Sequence, residues 1–292
     1  FKFKKNFKKI RSIIFQEVIL MLYSPLLSFC RFIIFIPWVT VMALLHFLTS
    51  LLSNKFFFLF YKLLFLGATK IFGIKVNIKG TPAKKKVLFI SNHISYLDIL
   101  ILGSSVNAIF IAKSEIRDWP IINKLCRIGK TIFVERANKK LVRKQMKKIE
   151  KNMINGFNVI LFPEGTSSDG SKVLDFKSSL FGITESINLN NFNIQPISIS
   201  YIKLDGLPLV KIFRPFLAWF GGMDLISHAW KFLGLGISEV IIHFHPSKKF
   251  SYFLNRKQAC KFCYDKISNQ VTTDYRSLDV NDKIKLNEFK FL

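Results

Sequence analysis

The feature that most constrains this chain is a run of twenty-one residues, Phe32 to Leu52, with no charged side chain in it. As a helix it reaches about 31 Å, enough to cross the hydrocarbon of a bilayer. It lies within a longer apolar stretch from Ser12 to Ile74, behind a basic segment carrying Lys2, Lys4, Lys5, Lys8, Lys9 and Arg11. The run is too long for a removable signal peptide, and no small-residue cleavage site follows it. Basic residues stand on both sides, with Arg31 before it and Lys55 and Lys62 after it. A single crossing would leave one cationic cluster on the far side, against the positive-inside tendency. A hairpin keeps both ends cytoplasmic. Residues 56–74 supply its second arm, with Lys62 and Lys70 free to snorkel. The expectation for residues 1–74 is a membrane-embedded helical anchor, as a hairpin or as two crossings.

The 292-residue chain is 50% hydrophobic, with a mean hydropathy of +0.29, and also carries a formal net charge of +26. Soluble enzymes rarely combine the two. Apolar segments suit a bilayer, and cationic residues gain roughly 1 kcal/mol each against anionic headgroups. The 32 Phe residues, with abundant Lys, Ile and Asn, also fit drift in an A+T-rich coding sequence, so part of the basicity needs no partner. Nucleic acid is not an expected partner. The aromatics lie in apolar runs rather than interleaved with Arg, and no recognition motif is present. Cys260 and Cys263 form a C-x-x-C without a second pair for zinc, in a helical context that reads as packing; Cys30 and Cys126 stand alone. Nothing requires an oxidising compartment.

Beyond Ile74 the pattern becomes short apolar runs alternating with amphipathic ones. Strands are expected at 87–91, 107–113, 131–134, 158–162, 194–201 and 239–246. Helices are expected at 98–105, around Trp119–Cys126, and at 139–153, where Val142, Met146, Ile149 and Met153 share a stripe opposite a basic face. This is an α/β pattern with a mostly parallel sheet flanked by helices over residues 75–250. Residues 251–292 read as a helix followed by a tail.

Three strands end in polar clusters. After 87–91 comes S-N-H-I-S-Y-L-D (91–98), at the place where open α/β sheets put reactive groups. Ser95 is suited to cap the following helix, with Asp98 completing a capping box. Asp98 can fold back on His93, orient its ring and favour the imidazolium formed when the ring takes a proton. After 158–162 comes F-P-E-G-T-S-S-D-G (162–170). Here Glu164 stands at the strand's mouth, and Gly165 and Thr166 offer backbone N–H groups to an anion. In G-K-T-I-F-V-E-R (129–136), Arg136 ends a strand as a bidentate anion ligand. An H-x-H at His243 and His245 has no carboxylate nearby in sequence and reads as ordinary strand. Trp219 and Trp230 fit a core or an interfacial belt equally. No G-x-S-x-G nucleophile elbow is present, which argues against a serine hydrolase.

In this order and spacing the clusters resemble the lysophosphatidate acyltransferase family of glycerolipid acyltransferases. The matching blocks are Asn92-His93-x-Ser95-x-x-Asp98, Phe133-x-x-Arg136, Phe162 to Thr166, and the I-x-P-I-x-I strand at 194–199. The resemblance implies that His93 is the general base and Asp98 its partner. It implies that Phe133, Arg136, Glu164, Gly165 and Thr166 bind the acceptor, and that no metal or cofactor takes part. Acyl-CoA or acyl-carrier protein would be the co-substrate and lysophosphatidate the acceptor, giving phosphatidate for phospholipid biosynthesis. The expected location is a membrane, the bacterial inner membrane, with the domain facing the cytoplasm. Two departures bear on the acceptor. Ser167 stands where the family often has Arg, and Lys130 where it commonly has Gly; Lys130 or Lys177 is available to replace the lost charge. The region 215–246 also resembles members that acylate lyso-ornithine lipid, a second candidate acceptor without phosphate. A non-catalytic lipid-binding membrane protein is a third reading.

Overall fold

The computed structural model describes residues 22–52, 57–134 and 139–288. The basic segment 1–11, Lys55 and Arg136 therefore lie outside the described residues. In chain order the elements are α1 (Pro25–Leu52), α2 (Phe57–Ile71), β1 (Ile74–Lys79), β2 (Val87–Ser91), α3 (Leu97–Ser105), β3 (Ile109–Lys113) and α4 (Pro120–Ile128). Then follow β4 (Ile132–Val134), α5 (Lys139–Ile154), β5 (Val159–Leu161), β6 (Asn193–Leu204), β7 (Leu207–Pro208), α6 (Leu225–Leu233), β8 (Ser238–Phe244), β9 (Lys248–Lys249) and α7 (Arg256–Glu288).

The strands form one mixed sheet in the order β1-β8-β6-β2-β5-β3-β4, with β7 and β9 also paired to β6. Along that path every neighbour is parallel except β8 against β6. The short strands 87–91, 132–134 and 159–161 are buried at every position, which is why they read as unbroken apolar runs instead of alternating ones. Strand β1 has no such run. Its I-K-V-N-I-K sequence sits on the sheet's edge, with lysines outward, and was not expected from the sequence. Helix α6 and the β6–β7 hairpin were likewise not anticipated. Helix α7 continues through most of the segment expected to be a tail.

β6 divides the molecule into two faces. Its Ser200 bonds to Asp274 on α7, whereas its Tyr201, pointing the other way, bonds to Asp98 on α3. Helix α7 covers one face, and α3, backed by α2 and α1, covers the other. On α5, Ile149 and Met153 are buried as the stripe requires; the side chain of Val142 is outside the described set. Cys260 and Cys263 are buried and unpaired, on the covered side of α7.

The two apolar helices pack against each other as a hairpin. Gly67 lets Trp38 approach so closely that a Cβ there would lie 2.1 Å from the indole, whose Nε1 donates to Leu64 O at 3.1 Å. Helix α2 is 15 residues long, about 22 Å, and buries Phe57, Tyr61, Ala68 and Thr69 against the domain. Helix α1 has 28 residues and exposes Phe29, Ile33, Ile36, Leu44 and Leu48. Both of its ends touch the domain. Arg31 donates to Leu233 O at 3.0 Å, to Gly236 O at 3.1 Å and to Leu235 O, satisfying the carbonyl end of α6. His46 bonds to Ile128 O at 3.3 Å and packs on the rings of Phe57 and Tyr61.

Candidate active site

The site begins where β2 runs out. Its last ladder partner is Ser91, opposite Ile197, and the next residue continues the pairing with its side chain. Asn92 Nδ2 donates to Ile199 O at 3.0 Å, and its Oδ1 accepts from Ile199 N at 2.8 Å. This amide bridge delivers His93 to the carboxyl end of the sheet at a fixed height.

His93 is held by both backbone and ring. Its N–H donates to Glu164 Oε1 at 2.7 Å, and its carbonyl accepts from Ser168 N at 2.9 Å. The imidazole stacks on Phe162 with centroids 4.2 Å apart and planes 22° apart. Nδ1 lies 2.9 Å from Asp98 Oδ2. With the Nδ1 proton directed at that carboxylate, Nε2 is left as the acceptor.

Asp98 is completely buried and accepts four hydrogen bonds. Oδ2 takes Ile94 N at 2.7 Å, Ser95 N at 2.9 Å and the imidazole; Oδ1 takes the Tyr201 hydroxyl at 2.7 Å. The acid half of the expected capping box is thus present, but the serine half is not. Ser95 Oγ is buried without a hydrogen-bond partner among the described residues, and Tyr96 occupies the N-cap with no side-chain cap bond. The Asp98 N–H that a serine cap would take goes instead to Ser95 O at 3.1 Å, while the carboxylate holds the N–H groups of Ile94 and Ser95. Tyr201 was not identified from sequence. It sits 103 residues from Asp98, and only the β6 face parity brings them together.

The F-P-E-G-T loop lies against this pair. Glu164 is 2% exposed, and its second oxygen accepts from Leu174 N at 3.0 Å. Burial raises its carboxyl to about 8; the N–H groups of His93 and Leu174 pull downward, and the charge of Asp98 adds to the rise. Gly165 has φ +80°, which favours glycine, and its N–H turns back to Phe162 O at 3.3 Å. Thr166 is exposed. Glu164 therefore braces the His93 turn, Gly165 shapes the loop, and Thr166 faces outward.

Phe133 lies farther away. Its strand, β4, is separated from β2 by β5 and β3, about 14 Å at the usual strand spacing. The ring is buried, with the Arg117 guanidinium 5.1 Å above it. Lys130 has φ +53°, which explains why glycine suits that place, and its ammonium lies 4.6 Å and 4.7 Å from the rings of Phe57 and Phe157. That position engages the base of the hairpin, not the His93 mouth, so Lys130 does not replace the charge missing at Ser167.

The H-x-H pair does have a carboxylate, contrary to the sequence reading. Asp274 on α7 accepts from Ser200 Oγ at 2.7 Å and Gln270 Nε2 at 2.8 Å and meets His243 Nε2 at 3.1 Å; His245 Nε2 meets Ser198 Oγ at 2.7 Å. Burial, then His243 and Lys266, holds the His245 imidazole down to about 4. The bonds of Asp274 to Ser200 and His243 fasten α7 to the sheet. Among the described residues no group of three His, Cys, Asp or Glu is placed to hold a metal.

A His–Asp pair at the carboxyl end of a sheet, with no covalent nucleophile in contact among the described residues, is suited to taking a proton from an attacking hydroxyl. Comparison with known proteins agrees. The family model named Acyltransferase matches residues 74–200. The lyso-ornithine lipid O-acyltransferase of Rhizobium meliloti is 34% identical over 214 residues, covering 72% of this chain and 73% of that protein. The 1-acyl-sn-glycerol-3-phosphate acyltransferase of Neisseria gonorrhoeae is 32% identical over 120 residues, covering 40% of this chain and 47% of that protein. The crystal structure of the 1-acyl-sn-glycerophosphate acyltransferase PlsC of Thermotoga maritima shares the fold, with a TM-score of 0.64 at 22% identity over 85% of this chain and 94% of that one. The chain belongs to the acyltransferase family that includes the lyso-ornithine lipid and 1-acylglycerol-3-phosphate enzymes. It is an acyltransferase of that kind, with an N-terminal apolar helix suited to membrane association.

Proposed function

We propose that the protein esterifies the free hydroxyl of lyso-ornithine lipid with a fatty acyl group taken from acyl-CoA or acyl-carrier protein. The observation that carries this acceptor is similarity spread over most of the chain to the Rhizobium meliloti enzyme of that name, at 34% identity. Ser167, in place of a phosphate-facing Arg, agrees with an acceptor lacking phosphate. Lysophosphatidate, the acceptor expected first from sequence, becomes the second reading, supported by a match over a smaller part of the chain.

In this reading His93 Nε2 removes the proton from the acceptor hydroxyl as the oxygen attacks the thioester carbonyl. Asp98 holds the ring in the Nδ1–H tautomer and stabilises the imidazolium. The tetrahedral intermediate then collapses, and the thiolate leaves with the proton from His93. Glu164 and Phe162 fix the base; Gly165 and Thr166, with Arg136 beyond the described residues, line the acceptor's side, and Phe133 supports Arg117 farther along the sheet. Helices α1 and α2 rest in the membrane beside the domain, on the cytoplasmic side of a bacterial inner membrane.

The test is acyl transfer by detergent-purified protein, offered lyso-ornithine lipid and lysophosphatidate in parallel with each donor. Transfer to lyso-ornithine lipid is expected, and transfer to lysophosphatidate alone would overturn the acceptor assignment. His93→Ala should lower turnover by about 10²–10⁴-fold while membrane association persists.

A further inference from the structure

On the α7 face of the sheet, away from the apolar hairpin, lies a cavity of about 260 Å³ whose lining includes Lys172, Lys211, Arg214 and Arg276. Nothing in the reaction described above uses it. Its walls come from the loop after Glu164, a 3₁₀ turn at Lys211–Phe216, and α7. Among the described residues, none of these four cations stands within ion-pair distance of a carboxylate. Four uncompensated positive charges around one hollow repel each other, and they are best relieved by a multivalent anion.

Arg214 is already arranged for such a guest. Its guanidinium lies 3.8 Å from the Tyr275 ring centroid, and Nη1 donates to Gly170 O at 3.1 Å. Its Nε is buried without a hydrogen-bond partner among the described residues. An unpaired buried donor on a charged group is costly unless a ligand supplies the acceptor. The small, mostly polar lining has no room for an acyl chain, so the guest is a headgroup or a phosphate.

The cavity is linked to the base by a short path. A Cβ placed on Gly170, the residue Arg214 holds, would touch the Ile94 side chain at 3.4 Å, and Ile94 follows His93. Its position decides between the two substrates. The lipid acceptor belongs with α1 and α2 on the opposite face of the sheet, whereas the donor arrives from water. Given the acyl-transfer reading, on which this rests, we infer that the cavity seats the phosphate of the donor's pantetheine arm, a group common to CoA and carrier protein. The arm then runs past Gly170 and Ile94 and brings the thioester to His93.

The decisive protein is the triple variant Lys172→Glu, Lys211→Glu, Arg276→Glu, which alters only exposed side chains; circular dichroism checks that it folds. Equilibrium binding of CoA, with no acceptor present, should weaken by about tenfold or more, as expected when charge-assisted phosphate contacts are lost. The KM for each donor that the protein turns over should rise by a similar factor with kcat unchanged, since acyl-CoA and acyl-carrier protein carry the same phosphate. Acyl-pantetheine, which lacks the phosphate, should be turned over equally by both proteins. Unchanged CoA binding, or a rise confined to the acceptor's KM, would overturn the assignment and, in the second case, give the cavity to the lipid head. Variant-sensitive CoA binding without transfer to any lysolipid would leave the cavity standing and remove the proposed function instead.

Discussion

Replacing Glu164 with Gln separates the carboxyl's charge from its bracing role, and pH makes the difference visible. In the folded protein burial lifts this carboxyl to about 8, whereas an unfolded chain loses the same proton in the ordinary carboxylate range. The folded state therefore holds a proton that the unfolded state releases. The stability tied to that proton is complete below the ordinary range and is lost as pH rises toward about 8. Each unit crossed is worth about 1.4 kcal/mol, or roughly 4 kcal/mol between pH 5 and pH 8. Glu164→Gln abolishes the titration, but it turns an amide N–H toward the backbone N–H of His93 or Leu174, a loss of about 1–3 kcal/mol. Wild type should thus be the more stable protein at pH 5, and the order should reverse near pH 8. Urea unfolding in detergent, followed by tryptophan fluorescence at each pH, reads this directly. Titration of His228 and His245, both held low by burial, is common to the two proteins and cancels in the difference. A wild-type-minus-variant difference that stays constant from pH 5 to pH 8 would refute the reasoning.

Two further outcomes are expected. Tyr201→Phe leaves Asp98 Oδ1 buried without its hydroxyl donor, so kcat should fall by about tenfold while the KM for either substrate changes little; an unaltered kcat would show that Oδ2 alone positions the pair. Gly67→Ala drives a methyl into Trp38 and should part the two helices, lowering the melting temperature by several degrees, since overpacking costs about 1–3 kcal/mol; an unchanged melting temperature would mean the indole swings aside freely.

The parts of the fold legible in the sequence were those with a one-dimensional signature. Runs such as V-L-F-I-S and I-F-V are apolar because both faces of their strands are covered, and the α5 stripe repeats because one face is covered. The five-residue spacing of His93 and Asp98 was legible for the same reason: one turn of chain joins them. Contacts across long separations left no mark. The antiparallel joint between β6 and β8, Tyr201 on Asp98, Asp274 on His243 and Arg31 on the end of α6 each depend on how distant segments stack. The failed Ser95 cap shows a subtler limit. Serine and aspartate at capping spacing suited both halves of the box, but the Asp98 N–H turned to the carbonyl of Ser95 and left its hydroxyl idle.

The amide bridge of Asn92 has a consequence for tolerance. Because this side chain mates with the backbone of Ile199, the base takes part of its coordinates from β6, a twelve-residue strand flanked on both edges, and not only from the turn that carries it. Positional error in the turn is damped by this second attachment, while Ser168 and Glu164 still bear on His93 directly. Side chains near the mouth that make none of these bonds, such as the exposed Thr166, are thereby released to vary, and substrate preference can diverge on a scaffold whose proton-accepting atom stays in register.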